Sequence, residues 1–213
     1  MPALGAPPAI AAFDFDGTLI RGDSLLPFLR RGLGWPHLLW ALLRCSPWLA
    51  AYALRLIRND VAKACLLQLT FGGRSLAELD DWTTRWLAND LPGELRDWTM
   101  ERLAFHRQAG HRCVLVSASP DIYLARVAAH LGFDDLICTE MEVQGGIVSG
   151  RMSTPNCHGE QKVLRLQRWL SGRFGPAMAG SVTLYAYGDT SGDKPMLRLA
   201  QHAWYRGKPW PAP

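Results

Sequence analysis

The sequence predicts an α/β protein built on a doubly wound parallel sheet, with a helical segment inserted after the first strand. Three observations lead there. Short apolar runs alternate with helical stretches along the chain, the pattern of parallel strands joined by crossover helices. Two of those runs end in acidic residues followed by small ones, as strands do where they open onto a ligand crevice. A long stretch between the first two runs carries helical periodicity and few strand signals.

Ile10 to Phe15 is the first run, a strand buried on both faces that ends in acidic residues and Gly17. Cys113 to Val116 is the second; Ser-Ala-Ser-Pro follows it, with Pro120 suited to a first helical turn. Leu136 to Cys138, Val182 to Tyr187 and Ala203 to Tyr205 read as further strands, separated by helices over Ile122 to Leu131 and Glu160 to Trp169. Met141 to Val143 and Ile147 to Ser149 flank Gly145-Gly146 and form a small hairpin appended to the sheet. The helical insertion has breaks at Gly34, Pro36, Pro47 and Gly72-Gly73. The expected division is a core of residues 1–22 and 91–213, with residues 23–90 as a helical cap above the crevice. The tail Pro209 to Pro213 reads as an unstructured end.

With 213 residues, 48% hydrophobic and 20% charged, the chain can bury a core without disulfides or structural metal. A net charge of +4 suits phosphates or anionic lipid and falls short of a nucleic-acid footprint. The five cysteines are scattered with no C-x-x-C pair, so reduced, buried thiols are expected. Met1 to Ile10 lacks the pattern of a secretory signal, and a cytoplasmic location is the default expectation.

Asp14 and Asp16 stand two apart at the end of the first strand, in Phe-Asp-Phe-Asp-Gly-Thr-Leu. Two carboxylates in a crevice repel each other unless a hard divalent cation neutralises them; taken alone, the pair is equally an acidic turn. Asp189 and Asp193, in Gly-Asp-Thr-Ser-Gly-Asp, again follow an apolar strand, so four carboxylates are expected at one sheet edge. Ser117 offers a hydroxyl and the N-terminus of the helix after it offers free amides, although capping is the simpler reading of that serine taken alone. Lys162 can set an ammonium against a phosphate oxygen or be a surface lysine.

In order and context these four pieces resemble the four motifs of the haloacid dehalogenase superfamily, over nearly the whole chain. The insertion between the first and second motifs looks like the phosphoserine-phosphatase-like branch, with a Rossmann-like core and a helical cap. The resemblance implies magnesium-dependent phosphomonoester hydrolysis, with Asp14 attacking phosphorus to give an aspartyl-phosphate and Asp16 carrying the proton. It places magnesium on the Asp14 and Asp189 side chains and the Asp16 backbone carbonyl, with Asp193 supporting through water. Lys162, Ser117 and amides near Ala118 are implied to neutralise the phosphoryl oxygens.

At the third motif, His158 takes the position that a lysine often holds, and Lys162 follows one helical turn later on the same face. Gly17 stands where true phosphoserine phosphatases carry serine, and their cap signature of Glu and Arg is not recognisable. Thr70-Phe71-Gly72, Gly159-Glu160-x-Lys162 and Gln201-His202-x-Trp204 are similar to a bacterial group that includes phosphatidylglycerophosphatase C. The expected partner is therefore a phosphorylated small molecule or a lipid phosphate. Trp35 to Ile57 is unusually apolar, with flanking Arg30, Arg31 and Arg58. Packing inside the cap is its simpler reading; peripheral docking at the inner face of a membrane is the other, since Arg44, Pro47 and Arg55 interrupt any simple span. Dehalogenation makes no use of Asp16, and a transport ATPase needs a different loop. A phosphotransferase with the same intermediate, or a non-catalytic module docking through its apolar cap, remain the alternatives.

Overall fold

A computed structural model describes residues 7–176 and 180–211. Its central sheet forms around β1 (Ala9–Phe13), whose every side chain is apolar. Strand β1 pairs in parallel with β3 (Arg112–Pro120) on one side and β7 (Thr183–Gly188) on the other. Strand β4 (Asp135–Thr139) extends the sheet beyond β3; β8 (His202–Tyr205) and then antiparallel β9 (Lys208–Trp210) extend it beyond β7. The order is β4-β3-β1-β7-β8-β9. Side chains alternate between faces, so Ala11, Phe13 and Leu115 enter one core while Ile10, Ala12, Val114 and Ala186 enter a second. Helices α5 (Asp97–Gln108) and α6 (Asp121–Leu131) accompany the first core; α7 (Glu160–Phe174) and α8 (Lys194–Leu199) accompany the second. A parallel sheet covered on both faces is the predicted class.

Between β1 and β3 run α1 (Leu25–Ala53), α2 (Asn59–Phe71), β2 (Arg74–Ser75), α3 (Leu76–Asn89) and α4 (Leu91–Glu94). Of the breaks expected in α1, only Gly34 leaves helical geometry, at φ 72° and ψ 165°. Pro36 falls in the first turn after that kink, where a missing N–H costs nothing. Pro47 sits inside the helix and leaves the Leu43 carbonyl without its usual donor. The Ser46 hydroxyl donates to that carbonyl at 2.8 Å, which lets the helix continue. At the start of α3 the Ser75 hydroxyl accepts from the Glu78 amide at 3.1 Å. Phe28 of α1 stacks on Tyr123 of α6 at 4.5 Å between ring centroids, and Trp86 of α3 packs edge-on against both. The inserted helices therefore share the first core instead of standing apart from it.

Two expectations need correction. The hairpin of β5 (Met141–Gln144) and β6 (Ile147–Met152) does not join the central sheet; it pairs with β2 in a separate sheet, Arg74 opposite Val148 and Ser75 opposite Ile147. A two-residue strand carries no periodicity to announce it. Gly150 lets the hairpin close on α2, because a β-carbon there would lie 2.8 Å from the Gln68 Cα. The C-terminal segment is not unstructured through Pro209 and Trp210, which lie in β9; residues 212 and 213 are outside the described residues. Proline is tolerated there because β9 is an edge strand, and Trp210 packs on Tyr205 at 5.0 Å.

Beneath the sheet, fully buried His106 meets the Tyr187 hydroxyl at 2.8 Å and His111 Nδ1 at 2.7 Å. Burial, reinforced by His111 and Arg102, lowers its pKa from the usual 6.5 to about 4. The unfolded chain therefore takes up this proton first as pH falls, and the folded state loses stability between pH 6.5 and about 4. The expected loss is roughly 3 kcal/mol. Urea unfolding from pH 7 to 4 measures it, and His106→Gln should flatten that part of the profile; an equally steep decline in the variant would place the acid sensitivity elsewhere.

Candidate active site

The carboxyl ends of β1, β3 and β7 meet where the chain order reverses about β1, the position at which open α/β sheets bind ligands. Asp14 follows β1 directly, its amide donating to the Tyr187 carbonyl at 3.0 Å. Gly17 turns the chain at φ 77°, and a β-carbon there would fall 2.2 Å from the Asp189 carboxylate. Glycine is what allows the two acidic loops to touch.

Buried Lys162, from the first turn of α7, spends its three protons on Asp14 Oδ1 at 2.5 Å, Asp193 Oδ1 at 2.7 Å and the Val116 carbonyl at 2.9 Å. The other Asp14 oxygen accepts from Thr18 at 3.1 Å. Asp193 Oδ2 accepts from the Thr190 amide at 2.9 Å, the Thr190 hydroxyl at 2.8 Å and the Asp189 amide at 3.2 Å. Both Asp193 oxygens are thus committed within the protein. Burial works against the Lys162 charge, but Asp14 and Asp193 outweigh it and hold its pKa above the usual value. For Asp193, too, burial opposes charge, and Lys162 and Thr190 overcome it to pull the pKa down. Asp14 goes the other way: burial, with repulsion from Asp193 and Asp16, outweighs Lys162 and lifts it to about 8.

Carboxylate oxygens of Asp14, Asp189 and Asp193 lie within 4.8 Å of one another. With one ammonium for three carboxylates, the cluster has a charge deficit that a hard divalent cation fits in both charge and donor type. Asp16 stands apart from that cluster. Its Oδ1 accepts from the Ser24 amide at 2.6 Å and its Oδ2 from the Ser119 hydroxyl at 2.5 Å. Burial, with repulsion from Asp23, raises its pKa and favours the protonated acid. Three of the four expected carboxylates therefore converge, and the fourth turns away.

Ser117 is fully buried at the end of β3, where its oxygen accepts from the Ser119 amide at 3.0 Å. Ala118 borders the cleft, and its carbonyl accepts from Lys63 at 2.5 Å and Thr139 at 2.6 Å. His158 lines the same cleft from the loop before α7, but it is Lys162 that reaches Asp14. Two residues escaped the sequence reading. Ser119 shares a strand face with Ser117, a period-two signal that was available. Lys63 of α2 reaches Asn156 Oδ1 at 2.9 Å as well as Ala118; it is the single basic residue of an apolar helix, and only the fold reveals where it points. Burial, partly offset by Asp16 and Asp23, lowers its pKa to about 8. The cleft holds about 640 Å³, with Asp14, Asp16 and Lys162 at its floor and Leu25, Leu42, Leu49, Tyr52 and Leu66 on its walls.

Residues 11–198 match the family model described as haloacid dehalogenase-like hydrolase. The chain belongs to that family. Among similar family members, protein CicA of Caulobacter vibrioides is 35% identical over 97% of this chain and 90% of its own length. Phosphoserine phosphatase SerB1 of Mycobacterium tuberculosis is 32% identical over 90% of this chain and 62% of its own. A crystal structure of a Bordetella pertussis protein of unknown function superposes with a TM-score of 0.80 at 28% identity, covering 93% of this chain and 89% of that one. The chain is thus a haloacid dehalogenase-like hydrolase, and solved phosphoserine phosphatases share its fold.

Replacing Lys162 with Met leaves Asp14 and Asp193 without the ammonium they share. The metal-free protein should lose about 3 kcal/mol of unfolding free energy at pH 8, and Asp193→Asn in the same chain should restore part of it. Urea denaturation decides the point; an undiminished midpoint in the single variant would mean that other groups hold these carboxylates.

Proposed function

We propose that the protein hydrolyses a phosphomonoester through an aspartyl-phosphate on Asp14, with Mg²⁺ as its cofactor. The observation that carries the reading is the contrast between two aspartates in one cleft. Asp14 lies in the acidic cluster beside Lys162, while Asp16 is held by Ser24 and Ser119 in surroundings that favour its proton. Burial raises both carboxyls; a cation held at the acidic cluster would draw the proton from Asp14 and leave Asp16, outside that cluster, as the acid. Asp14 attacks phosphorus in line as Asp16 protonates the departing oxygen; Asp16, now a carboxylate, then takes a proton from the water that opens the acyl-phosphate. Lys162, the Ser117 hydroxyl and the Ala118 amide meet the phosphoryl oxygens. The Asp14 and Asp189 side chains and the Asp16 backbone carbonyl would hold Mg²⁺, with Asp193 supporting through water. The cation supplies charge neutralisation that lets an anionic phosphate approach anionic Asp14.

The substrate is a phosphorylated small molecule, and the cleft favours one with an apolar portion. Residues 23–90 act as the cap that selects it, with Leu25, Leu42, Leu49 and Leu66 lining the cleft and Lys63 as the cation set nearby. The outer side of α1 continues that apolar character: Trp35 is 65% exposed and Trp40 54%, with the Arg30 and Arg44 guanidinium groups 5.6 and 5.9 Å from their respective ring centres. Among the described residues no helix is long and apolar enough to cross a membrane. Indole rings paired with arginines suit peripheral contact with anionic lipid, which brings a lipid phosphate within reach of the cleft.

Asp14→Asn should abolish phosphate release, and Asp16→Asn should lower kcat by roughly 10²- to 10⁴-fold. Assay with Mg²⁺ across small and long-chain phosphomonoesters checks both; near-wild-type turnover by either variant rejects the mechanism. Trp35→Ala with Trp40→Ala should weaken partition onto anionic vesicles about tenfold without shifting Tm, because both rings are exposed. Co-sedimentation that is unchanged by the substitutions would remove this face from the membrane contact.

A further inference from the structure

Cys45 of α1 and Cys65 of α2 face each other with their sulfurs 2.7 Å apart. That is about 0.7 Å beyond a covalent S–S bond. The other thiols are placed differently: Cys113 Sγ donates to the His111 carbonyl at 3.7 Å and Cys157 Sγ to the Ile137 carbonyl at 3.8 Å. Among the described residues no other pair of sulfurs is in hydrogen-bonding contact. Cys45 is fully buried, whereas Cys65 borders an outer groove of about 360 Å³ between Arg44, Trp48 and Gln68. A small oxidant can therefore approach Cys65 from solvent while Cys45 waits behind it.

The pair also has a position in the site. On α1, Leu42 and Leu49 lie one turn to either side of Cys45, and both line the cleft. On α2, Ala62 is one turn before Cys65 and Leu66 directly follows it, and these line the cleft too. The two sulfurs thus meet where the helices that wall the apolar part of the cleft touch.

We propose that Cys45 and Cys65 form a peroxide-responsive disulfide that locks α1 to α2 and sets the aperture of the apolar cleft. The chemistry balances with one hydrogen peroxide. The Cys65 sulfur attacks one peroxide oxygen, the O–O bond breaks, and the sulfenic acid forms with release of water. Cys45 sulfur then attacks Cys65 sulfur; the S–S bond forms, the S–O bond breaks, and hydroxide departs with the Cys45 proton as a second water. Two thiols are oxidised by two electrons and the peroxide is reduced by two. Burial, followed by the Cys65 contact, pushes the Cys45 thiol up to about 12, which keeps it protonated until the sulfenic acid draws it in. Once closed, the bond keeps α1 and α2 from parting around a bulky apolar group. This consequence rests on the substrate reading above; the cross-link itself does not.

The test treats the full chain with hydrogen peroxide, followed by digestion without reductant and mass spectrometry. The expected product is a cross-linked pair of peptides containing Cys45 and Cys65, two hydrogens lighter than their sum, reversed by dithiothreitol and missing in Cys65→Ser. Sulfinic acid at Cys65 with Cys45 still free, or unmodified thiols in protein that circular dichroism shows to be folded, overturns the proposal. Calorimetry with dodecyl phosphate and with inorganic phosphate reads the aperture. Oxidation should weaken the long-chain ligand by about threefold or more and leave inorganic phosphate unchanged; equal affinities before and after a verified cross-link overturn the aperture role. Phosphate release by the reduced protein is measured separately, so that its absence would fault the phosphatase reading while the mapped bond still stands.

Discussion

The site depends on one buried ammonium. Lys162 is shared by Asp14 and Asp193 and tied to the carbonyl of Val116, so it joins three segments that are far apart in the chain: the end of β1, the end of β3 and the loop after β7. An isolated buried carboxylate is costly, and two of them facing each other cost more. The lysine makes that arrangement tolerable yet incomplete, since one positive charge cannot balance three acids. Burial, with repulsion from the neighbouring acids, leaves Asp14 raised to about 8, and the residual imbalance gives the cluster room for a cation. Holding Asp14 in the crevice and leaving room for a cation are, in this geometry, one electrostatic problem.

Asp193 illustrates how the two tasks separate. Its oxygens serve Lys162 and the turn at Thr190, so its first duty is to hold the cluster in shape. Asp16 is freed from the cluster by Ser119, which reaches it from β3, and by the Ser24 amide at the entry to α1. The Ser24 hydroxyl also meets Tyr123, whose ring stacks on Phe28. Packing of the inserted helices is therefore coupled to Asp16 through a short chain of contacts. The small sheet adds a second tie: β2 lies within the insertion and β6 beyond it, so the inserted helices are fastened to the rest of the chain by backbone pairing as well as by their two connections.

Legibility in the sequence followed the range of the forces involved. The central strands were readable because burial on both faces forces continuous apolar runs such as Ala9–Phe13. Asp14, Asp16, Asp189 and Asp193 were readable because tight turns at strand ends impose short, glycine-marked spacing. Lys162 was legible because it shares a helical face with His158 and stands in Gly159-Glu160-x-Lys162, which resembles the family's third motif, and the structure directs its side chain to Asp14. Residues defined only by meeting something distant were not readable. Ser119 matters because Asp16 turns toward it, Lys63 because α2 lies over β3, and the two-residue β2 because a hairpin some seventy positions later completes it. Pro209 misled for the opposite reason: local composition suggested disorder, but an edge strand has room for a residue that donates no hydrogen bond.

The central place of β1 has a consequence for how the chain is made. Ile10 pairs with Arg112 and Leu184, both made later than this strand, so neither neighbour exists when it leaves the ribosome. At about 5–20 residues per second, its second flank is supplied only after roughly ten seconds or more of further synthesis. Until β3 is made this apolar strand has unpaired edges on both sides, and until β7 is made it has one; the helices made next are the first partners available to shield it. The insertion that roofs the finished cleft is thus also suited to guard the nascent strand.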